Sequence, residues 1–127
     1  MGGEAPTCIQ QPELHLHPAL QAELGDLFVK QALQFDAESD AVYVNQFLIE
    51  TYSEHLLLRI MRRIRETTKG SLPPHLPPVT PNDVSVLYVE PAADGSIVRT
   101  MPLSEDGHLL YDWPGGFFEE GLREVLI

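Results

Sequence analysis

Pro73, Pro74, Pro77, Pro78 and Pro81 stand too close together for any helix or central strand to run through them. This run divides the chain. Residues 1–70 must fold ahead of it and 83–127 behind it, with 71–82 as a stiff, partly extended connector. A chain of 127 residues has room for one modest core. The net charge of -11 argues against nonspecific attraction to DNA or anionic membranes. A single cysteine, Cys8, excludes an internal disulfide framework and fits a reducing cytoplasm. No apolar run approaches the roughly 20 residues of a membrane span. The opening residues lack the basic and apolar regions of a secretion signal. The expected location is the cytoplasm.

Ahead of the prolines the pattern alternates. Residues 1–5 read as a loose tail. Thr7, Cys8 and Ile9 suggest a short strand suited to burial. Pro18 opens a helix at a position where its missing N–H costs nothing. Leu20, Leu24, Leu27, Phe28, Ala32, Leu33 and Phe35 extend it to about residue 35 at spacings of three and four. An acidic turn follows at 36–40. Val42 to Ile49 reads as one buried strand ending at Glu50. Ser53 caps a second helix from Glu54 to about Thr67, with Leu56, Leu57, Ile60, Met61 and Ile64 on its buried face. Arg59, Arg62, Arg63 and Arg65 fall mostly on the other side. We read them as a solvated face whose charge complements the helix dipole, with contact to phosphate or an acidic partner as the alternative. Strand, helix, strand, helix implies an α/β fold with parallel strands and right-handed crossovers.

Behind the prolines, Val84 to Val89 and Ile97 to Leu103 form an antiparallel pair around Asp94-Gly95. Asp106-Gly107 turns the chain into His108–Tyr111. Residues 112–116 break it again, and Phe117 to Leu126 closes it as a short helix.

Chemistry concentrates between Ile9 and Pro18. Glu13, His15 and His17, joined by His55 or Glu50, offer oxygen and nitrogen ligands for zinc or iron, which would make a metal hydrolase. The alternative is a polar turn between strand and helix. Ser53, His55 and Glu50 are the raw material of a triad, but no Gly-x-Ser-x-Gly turn accompanies them and Ser53 is better explained as a cap. Cys8 reads as a packing residue without an activating neighbour.

The same stretch, Ile9-Gln10-Gln11-Pro12-Glu13-Leu14-His15-Leu16-His17-Pro18, resembles the Walker B strand and D-loop of ABC-type, AAA-family ATPases of the RecF, SMC and OLD kind. Phe47-Leu48-Ile49-Glu50-Thr51-Tyr52-Ser53-Glu54-His55-Leu56 resembles their next motif, a strand leading into the switch histidine. Asp83 to Tyr88, with Asp112-Trp113-Pro114-Gly115-Gly116-Phe117-Phe118-Glu119-Glu120, resembles the C-terminal domain of unknown function carried by one branch. The resemblance covers nearly all of residues 8–127.

That resemblance implies the C-terminal half of a P-loop ATPase head, then a small α+β tail. ATP and Mg²⁺ are the implied cofactors. Gln10 takes the Mg²⁺-holding position, Gln11 the position that orients the attacking water, and Tyr52 the switch position. With Gln10, the D-loop residues Glu13, His15 and His17 are the cofactor-binding positions that the resemblance implies. Gln10 replaces a carboxylate, and Mg²⁺ favours carboxylate oxygens, so this metal position is degenerate. Glu13 or Glu50 is the candidate replacement acid. Tyr52 replaces the histidine. The sequence contains no Gly-x-x-x-x-Gly-Lys-[Ser/Thr] loop and no Leu-Ser-x-Gly-type signature segment. The expectation is therefore a C-terminal fragment, inactive alone. The alternative is a subunit that completes a split ATPase, with an N-terminal ATPase half or a second copy as partner. An open sheet edge would invite self-association. DNA enters only by analogy with relatives of this kind.

Overall fold

The computed structural model describes residues 6–36 and 41–111. Its elements are β1 (Thr7–Gln10), α1 (Pro18–Ala32), β2 (Leu33–Asp36), β3 (Ala41–Val44), β4 (Phe47–Glu50), α2 (Glu54–Lys69), β5 (Leu87–Ala92) and β6 (Gly95–Thr100), with a 3-10 turn at Pro81–Asp83. The fold is α/β. β1 and β4 pair in parallel, β2 with β3 antiparallel, and β5 with β6 antiparallel.

The first helix ends earlier than its apolar spacing suggests. α1 stops at Ala32, and Leu33–Asp36 forms a strand instead. The expected single strand from 42 to 49 is also divided, between β3 and β4. Asn45 accounts for both changes. Its backbone N–H donates to the Ala32 carbonyl at 3.0 Å, and its side-chain Nδ2 donates to the Gln31 carbonyl at 2.8 Å. These bonds close the open end of α1 from a residue distant in sequence. The β2–β3 hairpin is thereby inserted between α1 and β4.

α2 is capped at both ends. The Ser53 hydroxyl accepts the Leu56 N–H at 3.1 Å, as expected from sequence. Gly70, at φ 74°, supplies the left-handed residue that ends it. Leu56, Ile60, Met61 and Ile64 are buried, in agreement with their spacing. α1 packs against α2 through Gly25, Phe28 and Val29. Gly25 allows the close approach: a β-carbon there would lie 2.7 Å from the Leu56 carbonyl oxygen. Leu20 and Leu27, from the same apolar set, remain open at 48% and 47% exposure.

The arginines of α2 do not form a purely solvated face. Arg63 is buried and donates from Nε and Nη2 to Asp26 of α1, at 2.7 and 3.0 Å, and from Nη1 to Glu66 at 2.7 Å. Arg59 donates to Asp26 at 2.7 Å. Burial alone would push the Asp26 carboxyl up, but the hydrogen bonds and charges of Arg63 and Arg59 outweigh it and hold it below its usual value. The same bond to Asp26, against the cost of burial and with help from Glu66, raises the Arg63 guanidinium.

The proline segment packs more than a connector needs to. Leu76 and Val79 are buried at 5% and 1% exposure. The Val79 N–H donates to the Thr67 hydroxyl at 3.1 Å, and that hydroxyl donates to the Arg63 carbonyl at 2.8 Å. Val79 joins Phe28, Val29, Leu56, Ile60 and Ile64 in one core, with Val84 and Leu103 packed against it. Farther on, Gly107 takes φ 74° beside the Met61 carbonyl, where a side chain would not fit. The expected Asp106-Gly107 turn is present, but His108–Tyr111 contributes only the Leu103–Leu109 bridge. The β5–β6 turn falls at Ala93-Asp94, because Ala92 pairs with Gly95. The strands expected at 84–89 and 97–103 are correspondingly displaced toward that turn. The expected helix at 117–126, the 112–116 break, most of the 36–40 turn and the 1–5 tail lie outside the described residues.

Candidate functional site

Successive side chains of a strand point to opposite faces, and residues in parallel register share a face. Ile9, Phe47 and Ile49 therefore face the helices and pack on the core. The Phe28 and Phe47 rings meet at 5.7 Å. Cys8 pairs with Leu48, and Gln10 with Glu50, on the opposite face. All four are exposed. Cys8 is thus not the packing residue expected from sequence.

The carboxyl ends of parallel strands are where open α/β sheets bind ligands. Gln10 and Glu50 sit there side by side. The Gln11 N–H donates to the Glu50 carbonyl at 2.6 Å, which fixes the exit from β1 beside the exit from β4. Gln11 and His15 both adopt left-handed backbone, at φ 46° and 67°. Non-glycine residues accept that conformation only where their surroundings impose it. Here the Leu14 and Leu16 N–H groups donate to the Gln11 and Glu13 carbonyls at 3.3 and 3.0 Å.

Glu13 is 7% exposed. Its Oε2 accepts the Thr51 hydroxyl at 2.8 Å, and its Oε1 accepts the Tyr52 N–H at 3.0 Å. The carboxylate is engaged by the loop after β4, so it does not stand free beside Gln10 as a replacement acid. Glu50, exposed next to Gln10, puts a carboxylate at that end of the sheet. The backbone of Tyr52 is held by Glu13, while the residue as a whole is 73% exposed.

The histidines separate by role. His17 is the N-cap of α1, and its Nδ1 accepts the Ala19 N–H at 3.2 Å. That bond commits one ring nitrogen to the backbone. His15 is exposed on the turn and His55 half-buried on the first turn of α2. Among the described residues, no three His, Cys, Asp or Glu side chains converge as a metal site. Ser53 spends its hydroxyl on capping α2 and on a 2.8 Å bond to Gln21 Oε1, which leaves no free nucleophile there. Among the described residues, a Mg²⁺–ATP pair would meet the exposed carboxylate of Glu50 and the neutral amide of Gln10 at the sheet end. These groups do not fit a metal–nucleotide complex without further ligands.

Sequence reasoning missed Thr51 and Gln21, which complete the polar contacts of this turn, and Asp26, which anchors the arginines. Gln21 lies one helical turn beyond His17, so its place near the turn follows from spacing. Its partner on another element does not.

Among the described residues, no helix is long and apolar enough to cross a membrane. No curated protein and no solved structure matches the chain. Residues 79–126 match a family described as "Protein of unknown function (DUF3696)". That segment begins at Val79, the buried residue that joins the proline run to α2.

Proposed function

We propose that this chain is the C-terminal part of an ABC-type, AAA-family ATPase head, and that alone it does not hydrolyse ATP. The observation that carries the reading is the meeting of its two motifs. Gln10-Gln11 and Glu50–Tyr52 lie far apart in sequence yet emerge together at one end of a parallel pair. An ATPase site needs its Walker B and switch positions to converge in this way. The family match over 79–126 supports the same branch, since the C-terminal resemblance falls on that segment. Inactivity follows from the chemistry present. The Mg²⁺ position holds an amide, Glu13 is engaged elsewhere, and the sequence has no phosphate-cradling loop. Purified chain with ATP and Mg²⁺ should release no phosphate above buffer. Robust turnover by the isolated chain would overturn the proposal.

A second reading, a subunit that completes an ATPase in trans, gains support from the exposed side of β1–β4. Parallel sheets are ordinarily covered on both faces, and here Cys8 and Leu48 are left exposed. Capture of a P-loop-bearing chain by tagged protein, lost on Leu48→Asp, would support this reading. Capture that ignores Leu48→Asp would count against it.

A further inference from the structure

The polar contacts around Glu13 close into a ring. The Thr51 hydroxyl donates to Glu13 Oε2 at 2.8 Å, and the Ser53 N–H donates to the Thr51 hydroxyl at 2.9 Å. The Ser53 hydroxyl donates to Gln21 Oε1, and Gln21 Nε2 donates to the Leu16 carbonyl at 3.0 Å. The Leu16 N–H donates to the Glu13 carbonyl, which returns to the starting residue. The directions are mutually consistent. The Ser53 N–H can only donate, so Thr51 accepts there and keeps its one proton for the Glu13 carboxylate. The Leu16 carbonyl can only accept, so Gln21 turns its Nε2 there and its Oε1 to Ser53, which donates its proton to it while accepting from Leu56. Glu13 thus acts purely as an acceptor, from the Thr51 hydroxyl and the Tyr52 N–H, in a largely dry setting.

We propose that Glu13 is a positioning residue that latches the Tyr52 loop to the turn carrying Gln11, so that the two segments move as one unit. Its meaning for an ATPase site rests on the function proposed above; the latch itself does not. A broken ring should free the loop and spare the core around Ile60 and Ile64, which lie about one and two turns farther along α2 than Leu56, the residue whose N–H meets Ser53. Apart from Glu13 itself, the described groups with a bond into the ring are neutral.

The test is residue-resolved amide hydrogen exchange on the whole chain, without nucleotide. Glu13→Ala should speed exchange at Tyr52, Ser53 and Leu16 together, by about tenfold or more, and leave Ile60 and Ile64 unchanged. Thr51→Val keeps the shape of the side chain but removes the donor, and should reproduce the effect, whereas Thr51→Ser should restore protection. Unchanged exchange at Tyr52 in Glu13→Ala would overturn the latch. Should Glu13→Ala fail to fold, Thr51→Val decides: acceleration that spreads equally into Ile60 and Ile64 would make the ring an ordinary part of the core and also overturn it. The readout is independent of ATP, so a failed latch and a failed ATPase assignment give different results.

Discussion

The two faces of the β1–β4 pair are unequal. On one, Ile9, Phe47 and Ile49 meet Phe28 and the packed seam of α1 and α2. On the other, Cys8 and Leu48 occupy the equivalent positions and are exposed. Both faces are built from the same short strands, so local propensity does not separate them. What separates them is the presence of helices on one side. The covered face takes its stability from burial, at roughly 1.5–3 kcal/mol for each fully buried large side chain. The exposed face contributes little of that within this chain.

Substitutions should register this difference on a graded scale. Ile64 is fully buried in the seam, and Ile64→Ala should cost about 2–5 kcal/mol in denaturant unfolding. Asp26→Asn should come next, at about 2 kcal/mol near neutral pH, because it strands the buried Arg63 with Glu66 alone. Its pH dependence has a definite sign. The folded Asp26 carboxyl lies below its ordinary value of 3.8. Its contribution is therefore full above that value and lost as pH falls through the lower folded one. Parent and Asp26→Asn should converge in stability below pH 3.8, and a gap that widens toward acid would contradict the ion-pair account. On the exposed face, Leu48 is 58% exposed. Leu48→Ala should change stability by less than about 0.5 kcal/mol. A loss comparable to that of Ile64→Ala would erase the distinction between the faces.

Much of the frame was legible in the residues. Pro18 and Ser53 marked both helix starts, and the spacing of Leu56, Ile60, Met61 and Ile64 marked the buried face of α2. The end of α1 was not legible. Leu33 and Phe35 continue a helical apolar spacing, yet they also stand two apart, as strand residues do, and no glycine intervenes. Asn45, from beyond the β2–β3 hairpin, closes α1. The arginines misled for a related reason. Periodicity assigns a residue to a side of its own helix, but not the charge that awaits it. Asp26, on α1, draws Arg59 and Arg63 inward. At the candidate site, Gln10, Gln11, Glu50 and Tyr52 do gather at one end of the sheet. The place of Glu13 depends on Thr51 and Tyr52, partners a long way off in sequence, and motif reading alone made it a candidate ligand.

The central claim, that one face of this sheet is finished and the other is open, has a direct reporter. Cys8 lies on the open face and is the only cysteine in the sequence. Its alkylation by a neutral maleimide can be timed in native buffer and in denaturant. The account predicts closely similar rates in the two conditions. A native thiol protected until the chain unfolds would mean that the face is already covered, and would contradict it.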